Sequence, residues 1–223
     1  MQEARHDDSK INFQIERVSF FTDGVFAIAI TLLVIEFKIP ELETKTDKAL
    51  SHALSEMGLK FLGFVISFSM IAHYWSVHHR IFGYAKQYTS NLVWCNFAFL
   101  FPVVLLPFTS GLLSEYSTQA EMKLPYTLYA FNLIIIGLMN IVLWKYISKP
   151  ERKLLTHSIS SARIRLGVFR SLVIPIVMFV ALIVSLFTVA GMFIPFLIPV
   201  ILHFGLKAPE VKADSDDKMM SNE

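Results

Sequence analysis

The chain has 223 residues, of which 54% are hydrophobic and 17% are charged, whereas roughly 25% of residues are charged in an ordinary soluble domain. This composition excludes a water-soluble globular domain and indicates an integral membrane protein. The net charge of +2 is small, and we expect no nucleic-acid partner. Because Cys95 is the single cysteine, an internal disulfide and a cysteine-based zinc site are also excluded.

Long uncharged runs predict an all-α integral membrane fold with six transmembrane helices, since about 20 apolar residues span the hydrocarbon core. A polar segment, 1–16, precedes a six-helix domain, 17–207, and a polar tail, 208–223, is predicted to be disordered. The N-terminal segment lacks the basic start of a signal peptide, so the first span is expected to stay in the mature protein. We expect the helices at about 18–37, 57–78, 92–113 and 124–146, with two more in the tract 166–204, which must reverse near 185–191.

The distribution of basic residues predicts the orientation of these helices. With the N-terminus on the inner side, the outer segments hold five of the 20 lysines and arginines, which leaves fifteen on the inner side. Such an excess follows the positive-inside rule. Both termini are therefore predicted to be cytoplasmic. The five outer residues are Lys38, Lys45, Lys48, Lys60 and Lys123.

The first predicted helix carries polar groups at membrane depth, with Asp23 near its start and Thr31 at its middle. An acid inside a membrane segment is treated as a functional-site candidate, because lipid disfavours it. At about 100° per residue, four residues fall within roughly a 60° arc, and we call them the stripe: Gly24, Ile28, Thr31 and Ile35. Asp23 projects away from this arc. The pattern predicts a narrow face that can line an axis and a polar flank that needs a partner.

The second predicted helix offers such a partner. Trp75 and His78 are three residues apart and share a face, although aromatic residues also gather near membrane boundaries without any partner. Arg17 and Asp23 are six residues apart, roughly 9 Å along the axis and about 120° around it, so they cannot pair well within one helix. We therefore predict a network in which Trp75 and His78 supply donors to Asp23 or an acceptor to Arg17.

Three histidines of the second helix, His73, His78 and His79, resemble the spaced histidines of membrane di-iron oxygenases. Such sites need more histidines or carboxylates in several boxes, and the other histidines of this chain are scattered. We expect no structural metal, no cofactor and no enzymatic activity. Two alternatives remain open: a cation- or proton-coupled transporter that uses Asp23 and His78 as a proton relay, and a membrane enzyme with a histidine-bound metal.

Several of these residues form a motif. The run Arg17-x-x-x-Phe21-Thr22-Asp23, followed by Gly-Val-Phe-Ala-Ile-Ala-Ile-Thr-Leu-Leu-Val, resembles the Arg-x-x-x-Phe-Ser-Asp signature of the transmembrane protein 175 family, with Thr22 in place of serine. Two further runs support the resemblance, Trp75-x-x-His78-x-Arg80 and Leu106-Pro107-Phe108-Thr109. The resemblance covers the first three predicted helices by motif and the last three only by hydropathy. Members of this family are potassium-permeable channels of endolysosomes and bacteria.

The resemblance implies a homotetramer, because the prokaryotic members have one six-helix unit per chain and place the first helix of each subunit around a central pore. The pore-lining positions of the family correspond here to Ile28, Thr31 and Ile35, which belong to the stripe. A bacterial plasma membrane is also implied. The expected partners are therefore further copies of this chain, the lipid bilayer and permeant monovalent cations.

In such a pore, the Ile28 and Ile35 rings are expected to gate by dewetting, since isoleucine offers an ion no ligand. Four Thr31 hydroxyls replace part of the hydration shell of a transiently bound K⁺. Neutral hydroxyls compensate less of the larger dehydration energy of Na⁺, so a moderate preference for K⁺ is expected. The Thr31 hydroxyl is also expected to bond the Ala27 carbonyl, and Glu36 is expected at the outer mouth.

Arg17, Asp23, Trp75 and His78 are assigned to a structural network that holds the pore helix. Removing the partner of a buried acid typically destabilises a protein by about 3–5 kcal/mol. The assignment therefore predicts that Asp23→Ala disturbs assembly more than ion preference.

Overall fold

The computed structural model describes residues 2–35, 37–116, 122–155 and 159–198. These residues form six α-helices: α1 (Gln2–Ile35), α2 (Asp47–Glu56), α3 (Gly58–Phe82), α4 (Ser90–Tyr116), α5 (Leu124–Ile147) and α6 (Ser161–Phe187). Short 3-10 segments, Pro150–Arg152 and Val189–Leu197, follow α5 and α6. By length and composition, all of these α-helices except α2 can cross a membrane, which gives five candidate spans among the described residues. The all-helical membrane fold predicted from hydropathy is confirmed.

The first helix begins earlier than predicted. Its apolar part, Phe13–Ile35, is long enough to span a membrane, but the helix continues through the polar segment back to Gln2. Residues 2–17 contain neither proline nor glycine, so no residue there ends a helix that has already formed. The boundary predicted at residue 17 therefore marks a change of polarity within α1 and is not the start of the helix.

The chain reverses after α6, within the predicted range. Thr188 is extended, and its hydroxyl accepts a hydrogen bond from the Ala190 amide. Gly191 returns so close to α6 that a Cβ on it would lie 2.3 Å from the Ser185 amide nitrogen, so this close approach requires glycine. The segment that follows is a 3-10 helix where the sixth span was predicted to begin. The rest of that span and the tail 208–223 lie outside the described residues.

The spanning helices pack in a series. α1 packs against α3 and α4, α4 packs against α5, and α5 packs against α6. Large apolar side chains fill the interior, and a polar cluster crosses it where the Ser67 hydroxyl lies 2.8 Å from the Ser110 hydroxyl and 3.1 Å from the Tyr129 hydroxyl. This cluster joins α3, α4 and α5. α1 stands at one end of the series, so much of its surface is left uncovered by its own subunit.

The helix α2 was not predicted. It lies between the first two spans and begins at an N-cap, where the Thr46 hydroxyl accepts a hydrogen bond from the Ala49 amide at 3.2 Å. Its ten residues bury no side chain in the described subunit. Because a search for long apolar runs detects only spanning helices, a short amphipathic helix in a connecting loop is missed.

Candidate functional site

The stripe of α1 lies on the outer surface of the described subunit. Ile28 is 60% exposed and Ile35 is 68% exposed. Thr31 is exposed between them, and a Cβ added to Gly24 would meet no atom within 4 Å. The stripe therefore forms a continuous open face along the membrane-spanning part of α1.

The buried face of α1 points the other way. It consists of Thr22, Phe26, Ala29 and Leu33, each at most 2% exposed. At 100° per residue these four side chains centre about 160° around the helix from the stripe. Because this face binds α1 to α3 and α4, the fold of one subunit holds the stripe turned away from its own core.

The Thr31 hydroxyl donates to the Ile28 carbonyl at 2.8 Å. The Ala27 carbonyl was the acceptor expected from the sequence, which is wrong by one residue. The hydroxyl bonds the carbonyl three residues back, which is one of the two acceptors open to a helical threonine. This bond uses the hydroxyl proton and leaves oxygen lone pairs free. The exposed face thus presents an oxygen acceptor between two isoleucines.

The flank of α1 is tied to α3 by a hydrogen bond that the sequence predicted. Trp75 Nε1 donates to Asp23 Oδ1 at 2.8 Å. Both side chains are partly accessible, with Trp75 41% exposed and Asp23 of intermediate burial. His79 stacks on the Trp75 ring at a centroid distance of 5.7 Å. A carboxylate that accepts an indole N–H is held on the side of the helix, away from the stripe.

His78 takes a different partner from the one predicted. Its Nε2 lies 2.7 Å from Asn96 Oδ1, and Asn96 Nδ2 donates to the Thr22 hydroxyl oxygen at 2.8 Å. The Thr22 hydroxyl donates in turn to the Val18 carbonyl at 2.8 Å. His78, Asn96 and Thr22 are at most 1% exposed. We call this series the polar chain, and it joins α3, α4 and α1.

The direction of the polar chain follows from its last donor. Because Thr22 gives its proton to Val18, it can only accept from Asn96, so the amide nitrogen of Asn96 faces Thr22. The amide oxygen then faces His78, and Nε2 of His78 must carry the hydrogen. His78 is also packed against the Phe82 and Phe99 rings, at 4.3 and 5.4 Å between centroids. Its ring is therefore fixed by hydrogen bonding and by stacking.

Arg17 does not enter the network within one subunit. It is exposed, and its guanidinium lies 5.8 Å from the centre of the Phe13 ring. No hydrogen bond or ion pair joins it to Asp23, Trp75 or His78 among the described residues. At 100° per residue Arg17 falls on the azimuth of the stripe, about two turns before Gly24. The predicted acceptor for Arg17 from α3 is thus absent from the described subunit.

The central roles of Thr22 and Asn96 were not predicted from the sequence. Thr22 was noted only as a replacement for serine in the motif, and Asn96 was assigned no role. Both are fully buried and each makes two hydrogen bonds. The available signal was the polar group itself, because a buried asparagine inside an apolar helix needs a partner from another helix.

The geometry argues against a proton relay between Asp23 and His78. Each of the two side chains is bonded to its own partner, and the polar chain ends at a backbone carbonyl, Val18. The three neighbouring histidines also diverge, because His79 stacks on Trp75 while His73 lines a cavity on another side of α3. Among the residues with defined positions, no three His, Cys, Asp or Glu side chains are grouped to hold a metal ion.

The sequence is similar to known channels over part of its length. A family model described as the endosomal/lysosomal potassium channel TMEM175 matches residues 17–107. A potassium channel of Chamaesiphon minutus is 34% identical over 138 residues, which cover 62% of this chain and 68% of that protein. A potassium channel of Streptomyces collinus is 31% identical over 134 residues, covering 60% and 64%. The endosomal/lysosomal proton channel TMEM175 of Gallus gallus is 35% identical over 112 residues, only 22% of its own length.

Solved structures extend the likeness to nearly the whole fold. The crystal structure of a lysosomal potassium-selective channel TMEM175 homolog from Chamaesiphon minutus matches with a TM-score of 0.74 and 26% identity, covering 87% of this chain and 99% of that one. A variant of the potassium channel MtTMEM175 matches in fold with a TM-score of 0.59 and 20% identity, over 85% and 91%. The relatives and the fold are those of channels and not of enzymes.

Proposed function

Because the chain belongs to the TMEM175 family of ion channels, we propose that it is a potassium-selective cation channel whose pore is formed by α1 of four subunits. The observation that carries this proposal is the open stripe of α1, with a threonine oxygen exposed between Ile28 and Ile35. A hydroxyl facing lipid gains nothing, whereas a hydroxyl facing a pore can bind a cation. The relatives from Chamaesiphon and Streptomyces are themselves named potassium channels.

The geometry of one subunit supports a ring of subunits. Each subunit offers a single narrow face, so several copies are needed to surround an axis, and closed cyclic symmetry is the common arrangement. With four copies, the stripe gives successive rings of Ile28, Thr31 and Ile35. The exposed apolar side chains that flank the stripe, Leu32 at 37% and Val34 at 56%, then pack between neighbouring subunits.

Selectivity in this pore comes from the Thr31 ring. Its oxygens replace part of the water around K⁺, while the isoleucine rings on both sides supply no ligand and control wetting. Because the hydroxyl protons are directed to the Ile28 carbonyls, the lone pairs remain for the ion. The neutral ring binds K⁺ only in passing, without a resident metal or cofactor, and its preference for K⁺ over Na⁺ is moderate.

The remaining site residues support the pore helix. The Asp23–Trp75 hydrogen bond fixes the rotation of α1 against α3, and the polar chain from His78 fixes its depth against α3 and α4. Arg17 lies on the same side of α1 as the stripe and is exposed. In the assembly it therefore contacts a neighbouring subunit or faces the inner entrance of the pore. We place the channel in a bacterial plasma membrane with both termini cytoplasmic.

Ion flux into liposomes tests the function, and cysteine modification tests the pore. Purified protein should give fast, non-saturating K⁺ flux and weaker Na⁺ flux, while flux that saturates and requires a proton gradient would favour the transporter. Flux should also be measured under a proton gradient alone, because animal relatives are named proton channels. The cysteine modification experiment starts from a Cys95→Ala variant, which lacks the single native cysteine.

In that background, Thr31→Cys should become sensitive to a water-soluble cationic thiol reagent, which blocks the K⁺ flux. The matched control is Val34→Cys, since Val34 is exposed on the same helix but about 90° away from the stripe. Equal sensitivity of both variants, or block of Val34→Cys alone, would mean that the stripe does not face the pore.

A further inference from the structure

A second polar region lies away from the pore helix, in a cavity of about 310 Å³ between α3, α5 and α6. This volume reaches the lower end of the range for small-molecule pockets, roughly 300–1,000 Å³. α6 is held against α5 on both sides of the cavity. A Cβ on Gly137 would lie 2.2 Å from Pro175, and one on Gly167 would lie 2.5 Å from the Trp144 indole nitrogen.

The lining of the cavity is strongly positive. Arg80 comes from the end of α3, and Arg163 and Arg170 come from α6. His73 lines the same cavity, and no Asp or Glu is among its described lining residues. Arginines that line a cavity without a carboxylate among them favour an anion as the ligand, because its negative charge offsets theirs.

The cavity also contains polar atoms without partners. Nε of Arg170, Oδ1 of Asn140 and the Tyr74 hydroxyl are all buried and make no hydrogen bond among the residues that the structure describes. The orientation of Asn140 is determined, because Ser171 gives its proton to the Gly167 carbonyl and can only accept from Asn140 Nδ2. The amide oxygen of Asn140 is therefore left facing away from Ser171 and requires a donor.

We propose that this cavity binds a phosphate ester that carries a free hydroxyl. Guanidinium groups match the geometry of phosphate oxygens, which accounts for Arg80, Arg163 and Arg170, and a ligand hydroxyl supplies the donor that Asn140 lacks. The same chemistry is present in an anionic lipid headgroup such as phosphatidylglycerol and in a water-soluble phosphate ester. Basic pockets between spanning helices at the cytoplasmic side are a recognised form of lipid site, and positive-inside topology places these arginines at that side.

The test measures binding to the purified full chain in neutral detergent, by native mass spectrometry with phosphatidylglycerol, phosphatidylcholine and glycerol 3-phosphate as probes. Arg163→Gln removes an exposed lining arginine and should fold normally, with binding of phosphatidylglycerol weakened roughly threefold. Arg170→Gln removes the half-buried arginine and should weaken binding roughly tenfold or more. Arg165→Gln is the matched control, since Arg165 is exposed on the same helix but does not line the cavity.

Roughly threefold weaker binding in Arg163→Gln with full binding in Arg165→Gln supports the site. If glycerol 3-phosphate competes with phosphatidylglycerol and reaches the same occupancy, the ligand is a soluble phosphate ester. If phosphatidylglycerol alone binds, the ligand is the lipid. Equal weakening by Arg163→Gln and Arg165→Gln would overturn the proposal, because it would reveal general attraction to a basic surface. Equal binding of phosphatidylcholine would overturn it as well, since an arginine-lined site must favour the anionic lipid.

Discussion

Replacing Asp23 shows how strongly the flank of α1 is held. Trp75 Nε1 donates to Asp23 Oδ1 at 2.8 Å, and both side chains are partly accessible. A hydrogen bond to a charged group contributes about 1.5–3 kcal/mol, and accessibility places this one at the lower end, about 1.5 kcal/mol. This is at most half of the roughly 3–5 kcal/mol typical of a fully buried acid, which was the sequence-based expectation.

Two substitutions separate the hydrogen bond from the charge. Asp23→Asn keeps an oxygen acceptor for Trp75 and should retain about 1 kcal/mol, whereas Asp23→Ala loses the whole interaction. Because the hydrogen bond lies within one subunit, alanine should lower the free energy of unfolding of each subunit by about 1.5 kcal/mol and asparagine by about 0.5 kcal/mol. Trp75→Phe should resemble Asp23→Ala, and the double variant should be no worse than either single one.

The assay is unfolding in mixed micelles, followed by the fraction of the proposed tetramer that remains across a dilution series in detergent, measured by size-exclusion chromatography with light scattering. The permeability ratio of K⁺ to Na⁺ is then measured on the remaining tetramer and should be unchanged. If Asp23→Asn is as disruptive as Asp23→Ala, the charge matters and the hydrogen bond does not. An intact Asp23→Ala tetramer with altered ion preference would contradict the supporting role altogether.

Three further outcomes follow from the described contacts. Thr31→Val should lower the permeability ratio of K⁺ to Na⁺ without loss of assembly, because it removes the oxygen of the stripe and keeps its shape; bi-ionic reversal potentials measure this. Asn96→Leu should destabilise the fold by about 2 kcal/mol, because it removes two buried hydrogen bonds between helices, as measured by unfolding in mixed micelles. Gly137→Ala should destabilise it by about 1–3 kcal/mol, because the new Cβ would lie 2.2 Å from Pro175 Cγ, by the same unfolding assay.

Each of these outcomes has its own control. Thr31→Ser keeps the oxygen and should leave the ion preference in place; an unchanged ratio in Thr31→Val would remove Thr31 from the selectivity mechanism. Gly63→Ala matches Gly137→Ala, since a Cβ on Gly63 meets no atom within 4 Å, and it should be neutral or slightly stabilising. A stable Asn96→Leu protein would show that the polar chain contributes little to the fold.

Features that repeat along one helix could be predicted from the sequence. The angular position of Ile28, Thr31 and Ile35 on a common face depends only on 100° per residue, and the structure leaves this face open. The hydropathy of the five described spans gave their positions within a few residues. Trp75 was correctly paired with Asp23 because the two residues lie at similar depth and a carboxylate at the membrane boundary needs a donor.

Choices among several possible partners could not be predicted. His78 was expected to bond Asp23 or Arg17. It bonds Asn96 instead, which lies 18 residues further along the chain. Asn96 in turn bonds Thr22, which lies 74 residues before it. Which donor meets which acceptor depends on the rotation and depth of three separate helices to within about an ångström. A sequence gives neither quantity, because packing of the apolar side chains between the helices determines both.

The sequence by itself therefore determined the class of the protein, the positions of the five described apolar spans and the composition of the face that α1 presents. Only the tertiary structure decided that this face points away from the core, that Arg17 is excluded from the network, and that Arg80, Arg163 and Arg170 meet around one cavity. The physical reason is the range of the interactions. Helical periodicity is local and is contained in neighbouring residues, whereas a cavity or a hydrogen-bonded chain between helices exists only after distant segments have packed together.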